Sequence, residues 1–221
     1  MNKQETILVI GGAGYIGSVN VEALVKKNYR VFVIDNLERG HKAAVHPNAT
    51  VIECDIRNEI AVRRIFESHP IDAVMHFGAY AYVGESMTQA DEYFRNNFIG
   101  GYNLLTAMRD YRVERIVFSS TCATYGEVSQ VPITESHPQR PINPYGCSKL
   151  AFELLLRSYE ISYGIRYAAL RYFNAAGATE ERGEDHDPET HLIPLILQVA
   201  LGQRENVSIF GVDYDTSDGT C

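Results

Sequence analysis

The sequence predicts an α/β fold, a doubly wound parallel sheet, and three observations carry that prediction. Short β-branched runs alternate with longer segments of helical period, as parallel strands and their crossover helices require. The runs are apolar almost throughout instead of alternating with polar residues, so both of their faces are expected to be covered. A cluster of glycines joins the first run to the first helical segment, at the sheet edge where such folds place their sites.

Taken in order, the strands are expected at Ile7–Ile10, Val31–Ile34, Val51–Cys54, Ala73–Phe77 and Ile116–Ser119. Between and after them Tyr15–Lys27, Ile60–Ser68, Ala90–Arg109 and Pro144–Tyr163 have the length and spacing of helices. The composition changes after Ala175: Thr179–Thr190 (TEERGEDHDPET) holds six carboxylates and almost no apolar residue. It reads as a surface loop leaving a first domain, 1–176, for a smaller second segment, 177–221. The last residues, Asp213–Cys221, contain an Asp-Gly turn signal that normally joins two ordered segments, so the second domain is expected to be incomplete.

The 221 residues are 45% apolar and 22% charged, enough for one sizeable core, and the net charge is -8. Acidity of this size excludes a sequence-independent nucleic-acid binder, which needs a basic stripe to neutralise phosphates. Cys54, Cys122, Cys147 and Cys221 are scattered without C-x-x-C spacing, which predicts reduced thiols. The first apolar run is too short for a signal-peptide core or a membrane span. A soluble, cytoplasmic protein with no membrane partner is expected.

The glycine cluster is Gly11-Gly12-Ala13-Gly14-Tyr15-Ile16-Gly17, and its strand-to-helix setting is what a dinucleotide fingerprint requires. The first glycine allows the tight turn, the second lets a pyrophosphate approach the backbone, and the third lets helix and strand pack closely. The helix N-terminus then offers unpaired amides to the phosphates. Asp35 ends the second strand, where a carboxylate accepts the adenosine-ribose hydroxyls and repels a 2′-phosphate. The first domain is therefore expected to be of the Rossmann type with NAD as cofactor; Arg39 keeps NADP open as the alternative.

Tyr145 and Lys149 lie four apart at the start of the Pro144–Tyr163 helix, so their side chains share one face. A phenol is a poor base at neutral pH, but a neighbouring ammonium favours the phenolate. Upstream, Ser119-Ser120-Thr121 closes a strand at the sheet edge, where the Thr121 hydroxyl can bind a substrate oxygen or, alternatively, local backbone.

With these motifs in place, GGAGYIGS, DNLERG, MHFGAY, VGES, FSSTCATYGE, PINPYGCSK, LRYFNAAGA, HLIPLILQVALG and IFGVDYDTSDGT together resemble the UDP-glucose 4-epimerase branch of the extended short-chain dehydrogenase/reductases, over nearly the whole chain. The resemblance implies cofactor contacts at Gly11, Gly14, Tyr15, Ile16, Gly17, Asp35, Asn36, Asp55, Ile56, Phe77, Ala79, Asn96, Ser119, Tyr145, Lys149 and Tyr172. It implies catalysis by Thr121, Tyr145 and Lys149. Substrate contacts are implied at Thr121, Tyr145, Asn174, Leu192, Ser208 and Phe210, although core packing is the alternative for Leu192 and Phe210.

The implied reaction is NAD-dependent inversion at C4 of a UDP-hexose through a transient 4-keto sugar. Some family members carry a Lys where this chain has Ala81 and some an Asn where it has His191, and family members have further phosphate-binding arginines after the point where this chain stops. Weak turnover by this chain alone is expected, which leaves open an NAD-binding pseudoenzyme or a related nucleotide-sugar reductase. A 4,6-dehydratase is disfavoured, because Cys122-Ala123 stands where those enzymes place an acid pair. The helices Ala90–Arg109 and Pro144–Tyr163 are implied to pair with their copies in a homodimer, with packing inside one chain as the alternative. His186 and His191, with Asp185 and Asp187, lack the spacing of a known metal motif, so a solvated loop without metal is expected. His76 is expected to be a packed strand residue.

Overall fold

The computed structural model describes residues 4–128 and 130–220, and the chain divides into two compact units, Met1–Gly183 and Glu184–Cys221. The first unit holds six strands in the order β3-β2-β1-β4-β5-β6, all parallel. These are β1 (Thr6–Ile10), β2 (Arg30–Asp35), β3 (Thr50–Glu53), β4 (Ala73–His76), β5 (Arg115–Thr121) and β6 (Arg166–Tyr172). The order reverses between β1 and β4, which opens a crevice beyond the carboxyl ends of those two strands.

The continuous apolar runs do what their composition demands. Along β1, Leu8 and Ile10 enter one core while Ile7 and Val9 enter another on the opposite face. The first core is closed by α2 (Glu59–Ser68), α5 (Gly100–Asp110) and α6 (Pro144–Tyr163), through Val62, Leu104, Met108, Phe152 and Leu156. The second is covered by α1 (Tyr15–Lys26), with Val21 fully buried against Val9, Val31 and Val33.

Two expectations are corrected. The segment expected as one helix over Ala90–Arg109 is α4 (Ala90–Tyr93), a π-helical stretch (Phe94–Ile99) and then α5, preceded by a short α3 (Val83–Ser86). The π stretch holds one more residue per turn than an α-helix and so turns both Asn96 and Asn97 into the protein, where they are buried. The sheet also has a sixth strand, β6, paired along all of β5. It is an edge strand whose burial alternates, with Ala168 and Leu170 exposed and Tyr167 and Ala169 covered, and Arg166 and Arg171 leave it only a short apolar run.

The stretch 177–183 is bound into the first unit. Arg182 and Glu22 form a buried ion pair at 2.8 Å, and the Thr179 hydroxyl donates to the same carboxylate at 2.9 Å. With Lys26 added, these partners hold the Glu22 carboxyl down at about 2.

The second unit contains α7 (Leu192–Ala200), introduced by His191, followed by irregular chain. The helix is apolar on every side (LIPLILQVA), and none of its residues is buried. Among the described residues no helix is long and apolar enough to cross a membrane.

Candidate active site

The glycine turn takes its shape from contacts that a side chain would break. Gly11 has a φ of 73°, and a Cβ there would stand 2.4 Å from the backbone nitrogen of Gly78. A Cβ on Gly17 would stand 2.0 Å from the Gly11 carbonyl oxygen. Gly14 differs: a Cβ there would meet nothing nearer than the Gly11 carbonyl, at 3.5 Å. Packing thus requires glycine at 11 and 17, whereas at 14 the backbone lies open toward the crevice at the N-terminus of α1.

Asp35 is locked against this turn. One carboxylate oxygen accepts from the amide of Ala13 at 3.0 Å, and the other accepts from that of Leu37 at 2.9 Å. Around it, Asp55 binds Arg57, and Arg57 also reaches Glu38 at 2.7 Å. Arg39 stacks on the Tyr80 ring at 4.2 Å while its guanidinium is held by both oxygens of Glu85, at 2.8 and 2.7 Å. An arginine already neutralised by a carboxylate is a poor receptor for a 2′-phosphate, which removes the ground for the NADP alternative.

Phe77 and Gly78 both donate their amides to the Ile10 carbonyl, which brings the chain after β4 beside the glycine turn. The connection that follows is made by side chains far apart in the sequence. The Asn97 carboxamide accepts from the Tyr80 amide (2.8 Å), donates to the Tyr80 carbonyl (3.0 Å) and donates to the Ser148 hydroxyl (3.0 Å). Ser148 in turn donates to the Tyr145 carbonyl at 2.7 Å, and Asn96 donates to Asn97 at 3.1 Å. Two adjacent Asn inside a helical pattern were the only sequence signal for this network.

Helix α6 starts at Pro144 behind an Asn143 cap, whose side chain accepts from the Gly146 amide at 2.8 Å. Its first turn lies directly on the bend after β5, where a Cβ on Gly146 would stand 2.5 Å from the Ala123 carbonyl oxygen. This contact carries Tyr145 to the carboxyl end of β5. Of the two readings of Thr121, the bond to local backbone is present: its Oγ1 accepts from the Ala123 amide at 3.1 Å, an arrangement in which the hydroxyl can still act as a donor. Burial pushes the Tyr145 phenol up, and interaction with the Thr121 side chain works in the opposite direction.

Lys149, one turn further on, is buried and donates to the Ser119 carbonyl at 2.8 Å, with its ammonium 4.8 Å from the centre of the Phe118 ring. Burial brings it down to about 7. Beneath it His76 is fully enclosed between Phe118 and Phe152, with neither ring nitrogen hydrogen-bonded, and burial together with the Lys149 charge holds it at about 3. This is the packed strand residue that the sequence leads one to expect at position 76. Tyr172 ends β6 opposite Thr121, half-buried, its phenol raised by burial.

The first unit thus gathers Gly11, Gly14, Asp35, Phe77, Ser119, Thr121, Tyr145, Lys149 and Tyr172 along one edge of the sheet, at the carboxyl ends of its strands. Tyr15 and Ile16 open α1, Asn36 follows β2, Asp55 and Ile56 follow β3, and Ala79 follows β4. Asn174 lies exposed just beyond β6. Leu192, Ser208 and Phe210 belong to the second unit and are exposed, so Leu192 and Phe210 are not core residues in it.

A doubly wound parallel sheet with a glycine cradle, an acid after β2 and a Tyr-Lys pair beside a strand-end hydroxyl defines a dinucleotide-binding protein of the short-chain dehydrogenase type. Residues 7–220 match the NAD dependent epimerase/dehydratase family, and the chain belongs to that family. It is 54% identical over 217 residues to the UDP-glucose 4-epimerase of Halalkalibacterium halodurans and 52% identical over 218 residues to that of Streptococcus mutans. In each case 97% of this chain is covered, and it spans 65% and 66% of the length of those two relatives. Among solved structures, UDP-glucose 4-epimerase from Brucella ovis in complex with NAD superposes with a TM-score of 0.92 at 47% identity, covering 98% of this chain and 67% of that one. The enzyme from Bifidobacterium longum in complex with NAD+ and UDP gives 0.91 at 37%, covering 97% and 68%.

NAD is the cofactor of this family, and the residues present fit it. The open backbone at Gly14 leaves room for a pyrophosphate, and the Asp35 carboxylate is held in place beside it.

Proposed function

We propose that the chain performs, or forms the cofactor-binding part of a protein that performs, NAD-dependent inversion at C4 of a UDP-hexose such as UDP-glucose or UDP-galactose. The observation that carries this reading is the meeting of Thr121, Tyr145 and Lys149 at the end of β5, on the same sheet edge as the glycine cradle. NAD, when bound, supplies the acceptor for the C4 hydride and gives the hydride back.

The chain's own residues handle the proton. Thr121 donates its hydroxyl hydrogen to a sugar oxygen and so fixes the ring, and Tyr145 Oη takes the proton from O4 and later returns it. Burial makes a phenolate costly at Tyr145 and an ammonium costly at Lys149, so each charge is favoured by the presence of the other on the same face of α6. Lys149 is fixed for this by the Ser119 carbonyl and the Phe118 ring. Asn97 and Ser148 hold the first turn of α6, and Tyr145 with it, in register with the loop after β4.

The test is NAD content of the purified chain together with conversion of UDP-galactose to UDP-glucose, for wild type and Tyr145→Phe. Bound NAD with conversion that falls by about 1000-fold or more in the variant supports the reading. Conversion unchanged in the variant would overturn it. Bound NAD without conversion in the wild type would support a second reading, a cofactor-binding unit that does not turn over, which the exposed apolar residues of α7 favour.

The same reading places the protein in the cytoplasm, where the free thiols of Cys54, Cys122 and Cys147 stay reduced. It also makes the protein a homodimer through the exposed apolar residues Ile99 and Tyr102, at and just inside the start of α5, and Leu154 and Ile161 on α6. Light scattering on the purified chain reads that mass directly.

A further inference from the structure

The acidic segment ahead of α7 has the sequence Glu184-Asp185-His186-Asp187-Pro188-Glu189-Thr190-His191, in which two Glu-x-His pairs follow one another. In the folded second unit it is these glutamates, and not Asp185 and Asp187, that turn toward the histidines. Glu184 Oε1 lies 2.9 Å from His191 Nδ1 and 3.3 Å from His186 Nδ1. Glu189 Oε1 lies 2.8 Å from His191 Nδ1, and its Oε2 lies 3.8 Å from His186 Nδ1. One donor atom from each of the four side chains falls within 4.8 Å of the other three.

A tetrahedral ion with bonds of about 2.0 Å separates its ligand atoms by about 3.3 Å. The imidazole–carboxylate separations, in which Glu189 meets each histidine with a different oxygen, run from 2.8 to 3.8 Å around that value, and one ligand atom from each of the four side chains closes within 4.8 Å. The carboxylates are enclosed, with side-chain exposures of 12% for Glu184 and 9% for Glu189, and their ion-pair partners are the same two imidazoles. Two carboxylates held this close repel, and a doubly charged cation between them offsets both negative charges. Glu189 is also fixed in place from behind, because its Oε1 accepts the backbone amides of Thr190 and His191, each at 2.7 Å. Orientation of a ligand by such outer hydrogen bonds is characteristic of built metal sites.

From this geometry we propose that Glu184, His186, Glu189 and His191, all in the second unit, form a closed, four-coordinate site for a zinc-class divalent ion. Two imidazoles beside two carboxylates select Zn2+ over Mg2+ and Ca2+, which take oxygen ligands in larger shells. A site with four protein ligands has no open position for a substrate, so the ion's role is structural. It ties the acidic loop together up to His191, the cap residue of α7, in a unit that buries little apolar surface of its own.

The test uses the purified chain after removal of metal with a chelator, titrated with ZnCl2 against a chromogenic competitor. One zinc per chain is expected, with no competition from a large excess of MgCl2 or CaCl2. His186→Ala/His191→Ala is expected to weaken binding by about 100-fold or more, and Glu184→Gln/Glu189→Gln, which keeps the shape of the site, by a comparable factor. X-ray absorption at the zinc edge should show two imidazoles and two oxygens at about 2.0 Å. Failure of the wild type to bind zinc would overturn the proposal. So would equal affinity in wild type and in the glutamine variant, or a sulfur shell in the absorption spectrum, since both place the ion elsewhere, for example on a cysteine.

Discussion

The two units of this chain treat apolar residues in opposite ways. In the first, Leu8, Val9, Ile34, Leu104 and Phe152 are sealed from solvent between a parallel sheet and its helices. In the second, α7 is just as apolar, yet Leu192 is 54% exposed, and Phe210 further on is 83% exposed. The difference lies in how each unit can be completed. A βαβ unit brings its own cover, because each crossover helix packs on the strands it connects. An apolar helix without such a partner stays uncovered until another surface meets it.

Substitutions that cost much in one unit and little in the other sharpen this comparison. Gly17→Ala should have the largest effect, because the added Cβ would stand 2.0 Å from the Gly11 carbonyl and force the turn apart. A loss of about 3 kcal/mol or more is expected, together with loss of NAD binding. Its counterpart Gly202→Ala has open space around it and a φ of 71°, so only the left-handed penalty of about 1–2 kcal/mol applies, confined to the second unit. Differential scanning calorimetry distinguishes the two; equal effects would break the comparison.

Next in size is Leu104→Ala, fully buried under the sheet, which should cost about 3 kcal/mol. That corresponds to a fall in Tm of about 6–12 °C. The matching change in α7, Leu197→Ala, should stay within about 0.5 kcal/mol, because Leu197 is 56% exposed. A large effect at Leu197 would show that another surface covers α7 in solution.

A smaller effect separates burial of charge from burial of apolar surface. Burial lowers Lys149 from 10.5 to about 7, so between those values the unfolded chain binds more protons than the folded one. Stability therefore rises with pH across that window, and the cost of the buried ammonium is fully present below about 7. In the cofactor-free chain, urea unfolding should gain on the order of 2 kcal/mol between pH 7 and 9 relative to Lys149→Met. Parallel pH profiles for the two proteins would show that Lys149 keeps its ordinary affinity for a proton. Smallest of all, Gly14→Ala should leave Tm within about 0.5 kcal/mol of wild type and weaken only NAD binding, since nothing in the protein occupies the space its Cβ would enter.

What the sequence made legible follows the same division. β1, β2, β4 and β5 could be read directly from their apolar runs, because burial on both faces leaves a pattern in composition, whereas the edge strand β3 offered only Val51 and Ile52. β6 could not: Arg166 and Arg171 interrupt it, and Arg171 is tolerated because it pairs with Glu153 of α6, a partner no local window contains. α7 was hidden by Pro194 and by its lack of a polar face. At the candidate site, Tyr145 and Lys149 announce themselves by helical spacing. The carboxamide of Asn97 does not, since its partners Tyr80 and Ser148 come together only in the fold.

The π-helical stretch Phe94–Ile99 gives the helix between β4 and β5 a phase. An α-helix advances about 100° per residue and a π turn less, so the six residues of this stretch turn the chain about as far as five α-helical ones would. The extra residue is absorbed here, and Leu104, Leu105 and Met108 keep their phase toward the core while Asn96 and Asn97 both face inward. A single-codon deletion inside the stretch would restore an ordinary α-helix with its core face intact and cost the inward place of one asparagine, whereas the same deletion just after Gly100 would turn everything beyond it by about 100°.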